Sequence, residues 1–186
     1  MTLLIAGLLV WSLVHLIPTL APPLKQNLTD RFGEKGYKLI FAALILLSIA
    51  LMVFGWRSIE PTFIYMLPYG LRHPLMLLIL IAFILMGASN YPTRIKSVIR
   101  HPQLTGVAIW ALAHLLLNGD SRSVVLFGGL GVWAVLEIIL INRRDGDWVK
   151  QEPPGWAREF RGLAISVVVF VVFAVAHPYF TGVALG

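Results

Sequence analysis

The sequence contains no cysteine and has few charged residues. Among its 186 residues, Asp, Glu, Lys and Arg together make up 13%. Without Cys the chain cannot form disulfides, iron–sulfur clusters, Cys-ligated zinc sites or thiolate nucleophiles. A soluble domain carries about 25% charged residues, and a small domain has too much surface to hide the missing share in a core. The hydrophobic content of 58% therefore predicts a protein that is solvated by a lipid bilayer.

Motifs of several common functional sites are also missing. There is no Gly-x-Gly-x-x-Gly and no P-loop, so nucleotide-phosphate sites of those types are not predicted. Zinc sites need three or four ligands, but the five histidines divide between two membrane faces and none shows His-x-x-x-His spacing. The net charge of +6 lies almost entirely in loops between apolar segments, which is typical of membrane topology and not of a nucleic-acid partner.

Long apolar segments provide the architecture. A membrane helix needs about 20 mostly apolar residues, and the sequence therefore predicts an all-α polytopic membrane helix bundle with about six transmembrane helices in a single domain, 1–186. The N-terminus has neither a positive n-region nor a small-residue cleavage site, so it is read as a retained first helix. The six segments are Thr2–Leu20, Tyr37–Trp56, Arg72–Ser89, Pro102–Asn118, Ser123–Ile141 and Phe160–Tyr179.

The basic residues predict the orientation of the bundle. Loops after the first, third and fifth segments hold twelve of the fifteen Lys and Arg, and the opposite side holds only Arg57, Arg72 and Arg122. Because Lys and Arg accumulate in cytoplasmic loops, both termini are predicted on the non-cytoplasmic side. The expected location is a bacterial inner membrane.

Two histidines within apolar segments are the strongest candidates for a site. An imidazole inside a membrane helix is costly and marks a functional site by default. His15 and His114 each follow a tryptophan by four residues, so Trp11 and Trp110 share their helix faces. Two neutral imidazoles from facing helices can hold haem b. The alternative role for each histidine is a hydrogen bond to a neighbouring helix.

Glu137 is the candidate for proton handling. Helix-end counts put Glu137 and His15 at similar depths, roughly 7 Å from one face, so the two side chains are predicted to be able to pair. The alternative for Glu137 is a buried structural partner. The same count separates His15 from His114 by about 10 Å and favours His101 as a partner of His15.

A long motif gives the chain a family resemblance. The segment RHPQLTGVAIWALAHLLLNGD, followed by LFGGLGVWAVLEIILINRRDGDW, resembles the NnrU family of bacterial membrane proteins. The resemblance extends to the segment from His15 to Pro18, to GEKGYKLIF and to AHPYFTG. It implies an integral membrane protein linked to denitrification, with a respiratory nitrite or nitric oxide reductase as a partner.

The family is also similar to plant zeta-carotene isomerase, which uses haem b in redox-driven isomerisation. This similarity implies that His15 and His114 are haem ligands, with Trp11 and Trp110 as the pocket wall, and it adds a hydrophobic small molecule as a partner. A further histidine of the isomerase has no counterpart here, and Trp133 stands near its expected position.

Two other functions remain open. Arg100-His101-Pro102 before Gly106 resembles the entrance motif of isoprenylcysteine and phospholipid methyltransferases, although Glu137 is the only nearby acid where those enzymes have paired glutamates. The other is a non-catalytic accessory or assembly factor for a respiratory complex, because no strong catalytic constellation is present.

Overall fold

The computed structural model describes residues 1–150 and 152–182, and these residues form six α-helices without a strand. Five helical segments are long and apolar enough to cross a membrane, and the fourth helix is shorter at 16 residues. The predicted all-α membrane bundle is therefore confirmed, while the sidedness of its termini stays a prediction. Residues 151 and 183–186 of the predicted domain lie outside the described part. The helices are α1 (Thr2–Leu20), α2 (Pro22–Arg57), α3 (Arg72–Ala88), α4 (Pro102–Leu117), α5 (Ser121–Asp145) and α6 (Trp156–Thr181).

The largest difference from the predicted bounds is the start of α2. The sequence predicts a helix from Tyr37, whereas α2 already begins at Pro22 and bends at Gly33, where the backbone leaves helical geometry at φ 72° and ψ 166°. Proline suits the first turn of a helix because its missing N–H has no partner there. A glycine tolerates the positive φ that the bend requires. The segment that the sequence predicts as a loop, residues 22–32, is therefore the polar first part of α2, which we call the polar arm.

Packing links the helices in the order α2, α1, α5, α4, α3, α6. Successive helices run in opposite directions, so the bundle has two ends. We call the end with the start of α1 and the end of α6 the terminal pole. The other end, with the twelve Lys and Arg residues, is the basic pole. At the basic pole Arg144 at the end of α5 donates a hydrogen bond to Thr19 at the end of α1 (3.2 Å).

Large apolar side chains cover the outside of the bundle. Leu39 is 70% exposed, Leu13 63% and Val175 69%, and similar residues lie on every long helix. Contiguous apolar surface of this extent is not stable in water. The exposed faces are therefore the lipid-contacting surface of an integral membrane protein.

Small residues allow α3 and α4 to approach closely. A Cβ added at Gly106 on α4 would lie 2.7 Å from the Ala82 carbonyl oxygen and 2.9 Å from Cγ of Met86. In membranes such small residues permit the backbone contact that drives helix association. By contrast, a Cβ at Gly128 on α5 meets no atom within 4 Å.

We expect Gly106→Ala to destabilise the bundle by about 1–3 kcal/mol, because the backbone of α3 cannot retreat from the added methyl group. Gly128→Ala is the matched control, and it should be neutral or stabilising because alanine favours the helix. The measurement is thermal unfolding of both variants in detergent. Equal behaviour of the two would contradict the packing described for α3 and α4.

At the terminal pole, the loop between α2 and α3 is hydrogen-bonded to the end of α4 and the start of α5. The backbone N–H of Ile64 donates to the Gly119 carbonyl (2.8 Å), the N–H of Ser121 donates to the Thr62 carbonyl (2.9 Å), and the hydroxyl of Tyr65 bonds the Leu115 carbonyl. Gly119 has no positive φ. Glycine is needed there because the Tyr65 backbone lies where a Cβ would be. The loop between α2 and α3 is thus held over the end of α4.

Candidate functional site

The two Trp–His pairs have nearly the same geometry. Nδ1 of His15 donates to the Trp11 carbonyl and Nδ1 of His114 to the Trp110 carbonyl, each at 2.9 Å. The rings of each pair lie 4.4 and 4.6 Å apart. A carbonyl oxygen can only accept, so each bond puts the proton on Nδ1 and leaves the Nε2 lone pair available. This tautomer suits a metal ligand, and it is held by a backbone partner as ligating imidazoles are.

The structure does not bring the two pairs together. They contact α5 at different levels: His15 lies against Trp133 (4.9 Å between ring centroids), and His114 lies against Phe127 (4.6 Å). Six residues of helix separate these contacts by about 9 Å along the axis. This agrees with the depth difference estimated from the sequence. His15 and His114 therefore do not face each other across a common space.

The His15 ring packs against three aromatic side chains. Trp11, Trp133 and Phe41 have ring centroids 4.4, 4.9 and 5.3 Å from that of His15. Trp133, near the position expected for the isomerase's further histidine, thus fills the space beside His15.

The buried Glu137 lies one turn beyond Trp133 on α5, with 4% of its surface exposed. Among the hydrogen bonds and ion pairs of the described residues, none joins Glu137 to His15. The expected pairing of the two side chains is therefore not formed, because the Trp133 indole occupies the neighbourhood of the imidazole. Two residues at a similar depth on neighbouring helices, such as Glu137 and His15, need not be in contact.

His114 lines a large cavity near the terminal pole. The cavity has a volume of about 1080 Å³, at the upper end of the usual range for ligand pockets, about 300–1,000 Å³. Trp56, Trp110 and Phe127 contribute aromatic walls, and Phe83 packs against Phe170 and Phe173 (5.6 Å each) on another side. No Asp or Glu is among the described lining residues.

His177 on α6 is the second imidazole of this cavity. It lines the same cavity as His114. Its Nδ1 is within 3.2 Å of the Thr181 hydroxyl. From the sequence, His177 precedes a proline near the outer end of the sixth segment, on the same side as His73 and His114, and whether these histidines meet is left open. Its meeting with His114 depends on how α6 packs on α3, for which the sequence carries no signal.

The remaining candidate, His101, has a partner at the basic pole. Its Nε2 is 3.0 Å from Oδ1 of Asn142 on α5, and Arg100 donates to the Gly146 carbonyl at 2.7 Å. These bonds tie the start of α4 to the end of α5. The Arg100-His101-Pro102 segment is therefore part of a structural junction between α4 and α5.

The donor set of the cavity, with two imidazoles, suits haem b better than the single imidazole of the His15 cluster does. The cavity offers two imidazoles, apolar and aromatic walls and two arginines, Arg57 and Arg72. Imidazoles can ligate haem iron, an apolar surround suits the macrocycle, and arginines are suitable partners for its two carboxylates. His114 and His177 are the residues that would hold the iron. Trp110 lines this cavity, whereas Trp11 is not among its described lining residues.

The fold and this cavity define the class of the protein, which is an integral membrane helix bundle with an apolar cavity lined by histidines. The chain matches the family model described as NnrU protein over residues 3–185, and it belongs to the NnrU family. The resemblance drawn from the fourth-helix motif is thereby confirmed. The curated proteins and the solved structures gave no match.

Proposed function

We propose that this chain is a haem b-binding NnrU protein that supports the reduction of nitrite and nitric oxide from the bacterial inner membrane. The observation that carries the proposal is the shared cavity of His114 and His177. Two imidazoles that line one cavity are a suitable donor pair for haem iron. Haem b bound there would supply one-electron transfer within the bilayer.

Each residue of the cavity has a separate part in this proposal. The Trp110 carbonyl fixes the tautomer of His114, so that Nε2 carries the lone pair. The aromatic side chains exclude water and provide flat surfaces for a macrocycle. Glu137 and His15 stand apart from this cavity, so we assign them no contact with the bound group. A proton-handling role of Glu137 remains compatible with its burial near the basic pole.

The gap between α2 and α6 supports access for a lipid-soluble molecule. Both helices line the cavity, yet neither packs closely against the other in the described part of the chain. We infer that the cavity opens towards lipid between them. A hydrophobic small molecule is a suitable second occupant, whereas isomerase-like chemistry has less support because Trp133 stands near the expected position of that enzyme's further histidine.

The decisive measurement is the absorption spectrum of the protein purified in mild detergent from haem-replete cells. We expect a reduced-minus-oxidised spectrum of b type and about one haem per chain, as one cavity with one pair of imidazoles predicts. Colourless protein from such cells would refute haem binding.

The respiratory role needs a separate measurement. Deletion of the gene should slow nitrite and nitric oxide consumption, and the wild-type gene should restore it whereas the His114→Ala gene should not. Full rescue by a haem-free His114→Ala protein would favour a non-catalytic accessory factor. Unchanged consumption in the deletion strain would refute the link to denitrification while leaving haem binding intact.

A further inference from the structure

We infer that Arg57 and Arg72 form a carboxylate-binding pair at the rim of the cavity, which orients haem b with its two propionates towards the terminal pole. The inference rests on the proposed function, since it concerns the same cavity. It adds the direction in which the bound group lies and the residues that recognise its carboxylates. We call these two residues the rim arginines.

The first argument is the distribution of positive charge. Only three of the fifteen Lys and Arg residues belong to the terminal pole, namely Arg57, Arg72 and Arg122. Two of them line the cavity, and the third stacks on Trp56, which is itself a wall of the cavity (4.4 Å from the guanidinium carbon to the ring centroid). The cations of this pole are thus concentrated at one apolar cavity. The membrane topology alone would not require these cations to lie at the same cavity.

The second argument is that the rim arginines lack an acidic partner in the protein. Within residues 1–150 and 152–182, neither Arg57 nor Arg72 has a carboxylate within ion-pair distance. The guanidinium group of Arg72 lies over the ring of Tyr69, 5.7 Å from its centroid. Arg122 differs, because Asp120 lies 3.6 Å from it. Two guanidinium groups beside an apolar cavity are therefore available for anionic groups of a ligand.

The third argument is chemical complementarity. The rest of the lining is apolar or aromatic apart from a few neutral polar groups and the two histidines, and its described part contains no carboxylate. Arginine binds carboxylates through two parallel hydrogen bonds. An apolar body with two carboxylates on one edge, as haem b has, matches a pair of arginines at the rim of an apolar cavity that also holds two imidazoles.

The test compares haem with its dimethyl ester, in which the carboxylates are blocked. Apo-protein in detergent is titrated with each compound, and the Soret absorbance gives both dissociation constants. We expect the wild type to bind haem about tenfold more tightly than the ester. The double variant Arg57→Gln/Arg72→Gln should bind both compounds equally, at about the wild-type affinity for the ester.

The matched control is Arg31→Gln/Arg143→Gln, which removes two exposed arginines at the basic pole and changes the net charge by the same amount. It should keep the preference for haem, and circular dichroism should show all proteins equally helical. A preference for haem that persists in the rim double variant would overturn the inference.

Three further outcomes separate the inference from the proposed function. If the wild type binds haem and its ester equally, the carboxylate pair is refuted while haem binding stands. If it binds neither compound, the proposed function fails and the inference fails with it. If oleate displaces haem and binds more tightly through the same arginines, the pair belongs to a fatty acid and its assignment to propionates is wrong.

Discussion

His114→Ala is expected to lower the affinity for haem by roughly 100-fold, so that the variant is purified without colour. Removing even an indirect partner of a metal ligand costs about 10–100-fold in affinity, and loss of a ligand should cost at least as much. His15→Ala is the comparison, because His15 has the same spacing to a tryptophan and the same backbone bond but is enclosed by Trp133 and Phe41. It should retain haem.

This pair of variants distinguishes two arrangements of the site. If His15 and His114 both ligated one iron, as the resemblance implies, both variants would lose haem. If the cavity holds the group, His114→Ala and His177→Ala both weaken haem binding, whereas His15→Ala retains it. His73→Ala is a control, since His73 is exposed and absent from the cavity lining. Unchanged haem binding by His177→Ala would remove His177 from the site.

Filling the cavity is the second large effect. Ala174 lines the cavity on the inner side of α6, close in sequence to His177. Ala174→Trp should abolish haem binding even though both histidines remain, because the indole would occupy the space of the macrocycle. Overpacking of a filled interior costs about 1–3 kcal/mol, but here the cavity can accept the new ring, so the variant should stay folded.

Val168→Trp provides the control for Ala174→Trp. Val168 is on the same helix, is 61% exposed on the lipid-facing surface and does not line the cavity. It should bind haem as the wild type does. Normal binding by Ala174→Trp would show that the group lies elsewhere, whereas loss of binding in both variants would point to a general disturbance of α6.

The helices follow directly from local sequence patterns. The start of α1 and those of α3 and α4 agree with the prediction because apolar runs and proline at the first turn act within a few residues. The polar arm at the start of α2 was not predicted, since proline and charged residues there resemble a loop. The non-helical backbone at Gly33 bends α2, so that the polar arm and the membrane-spanning part of α2 run in different directions.

Only part of the candidate site could be predicted from the sequence. His114 stands out because a histidine within an apolar helix is costly, and the Trp110 spacing correctly put both on one face. The pairing of His15 with Glu137 did not form, although both lie at similar depths, because depth ignores the direction in which side chains point around a helix axis. For His177 the sequence gives only its side of the membrane and its position before a proline, so its sharing a cavity with His114 could not be predicted.

By itself the sequence determined a cysteine-free, six-helix membrane protein of the NnrU family, because hydrophobic length and a long motif are local properties of a chain. The tertiary structure alone decided which imidazoles share a cavity. α5 separates the surroundings of His15 from those of His114, while α6, packed on α3, brings His177 and an apolar wall to His114. Contacts between helices far apart in the chain depend on rotation about each axis and on neighbour order, and neither is encoded in any single segment.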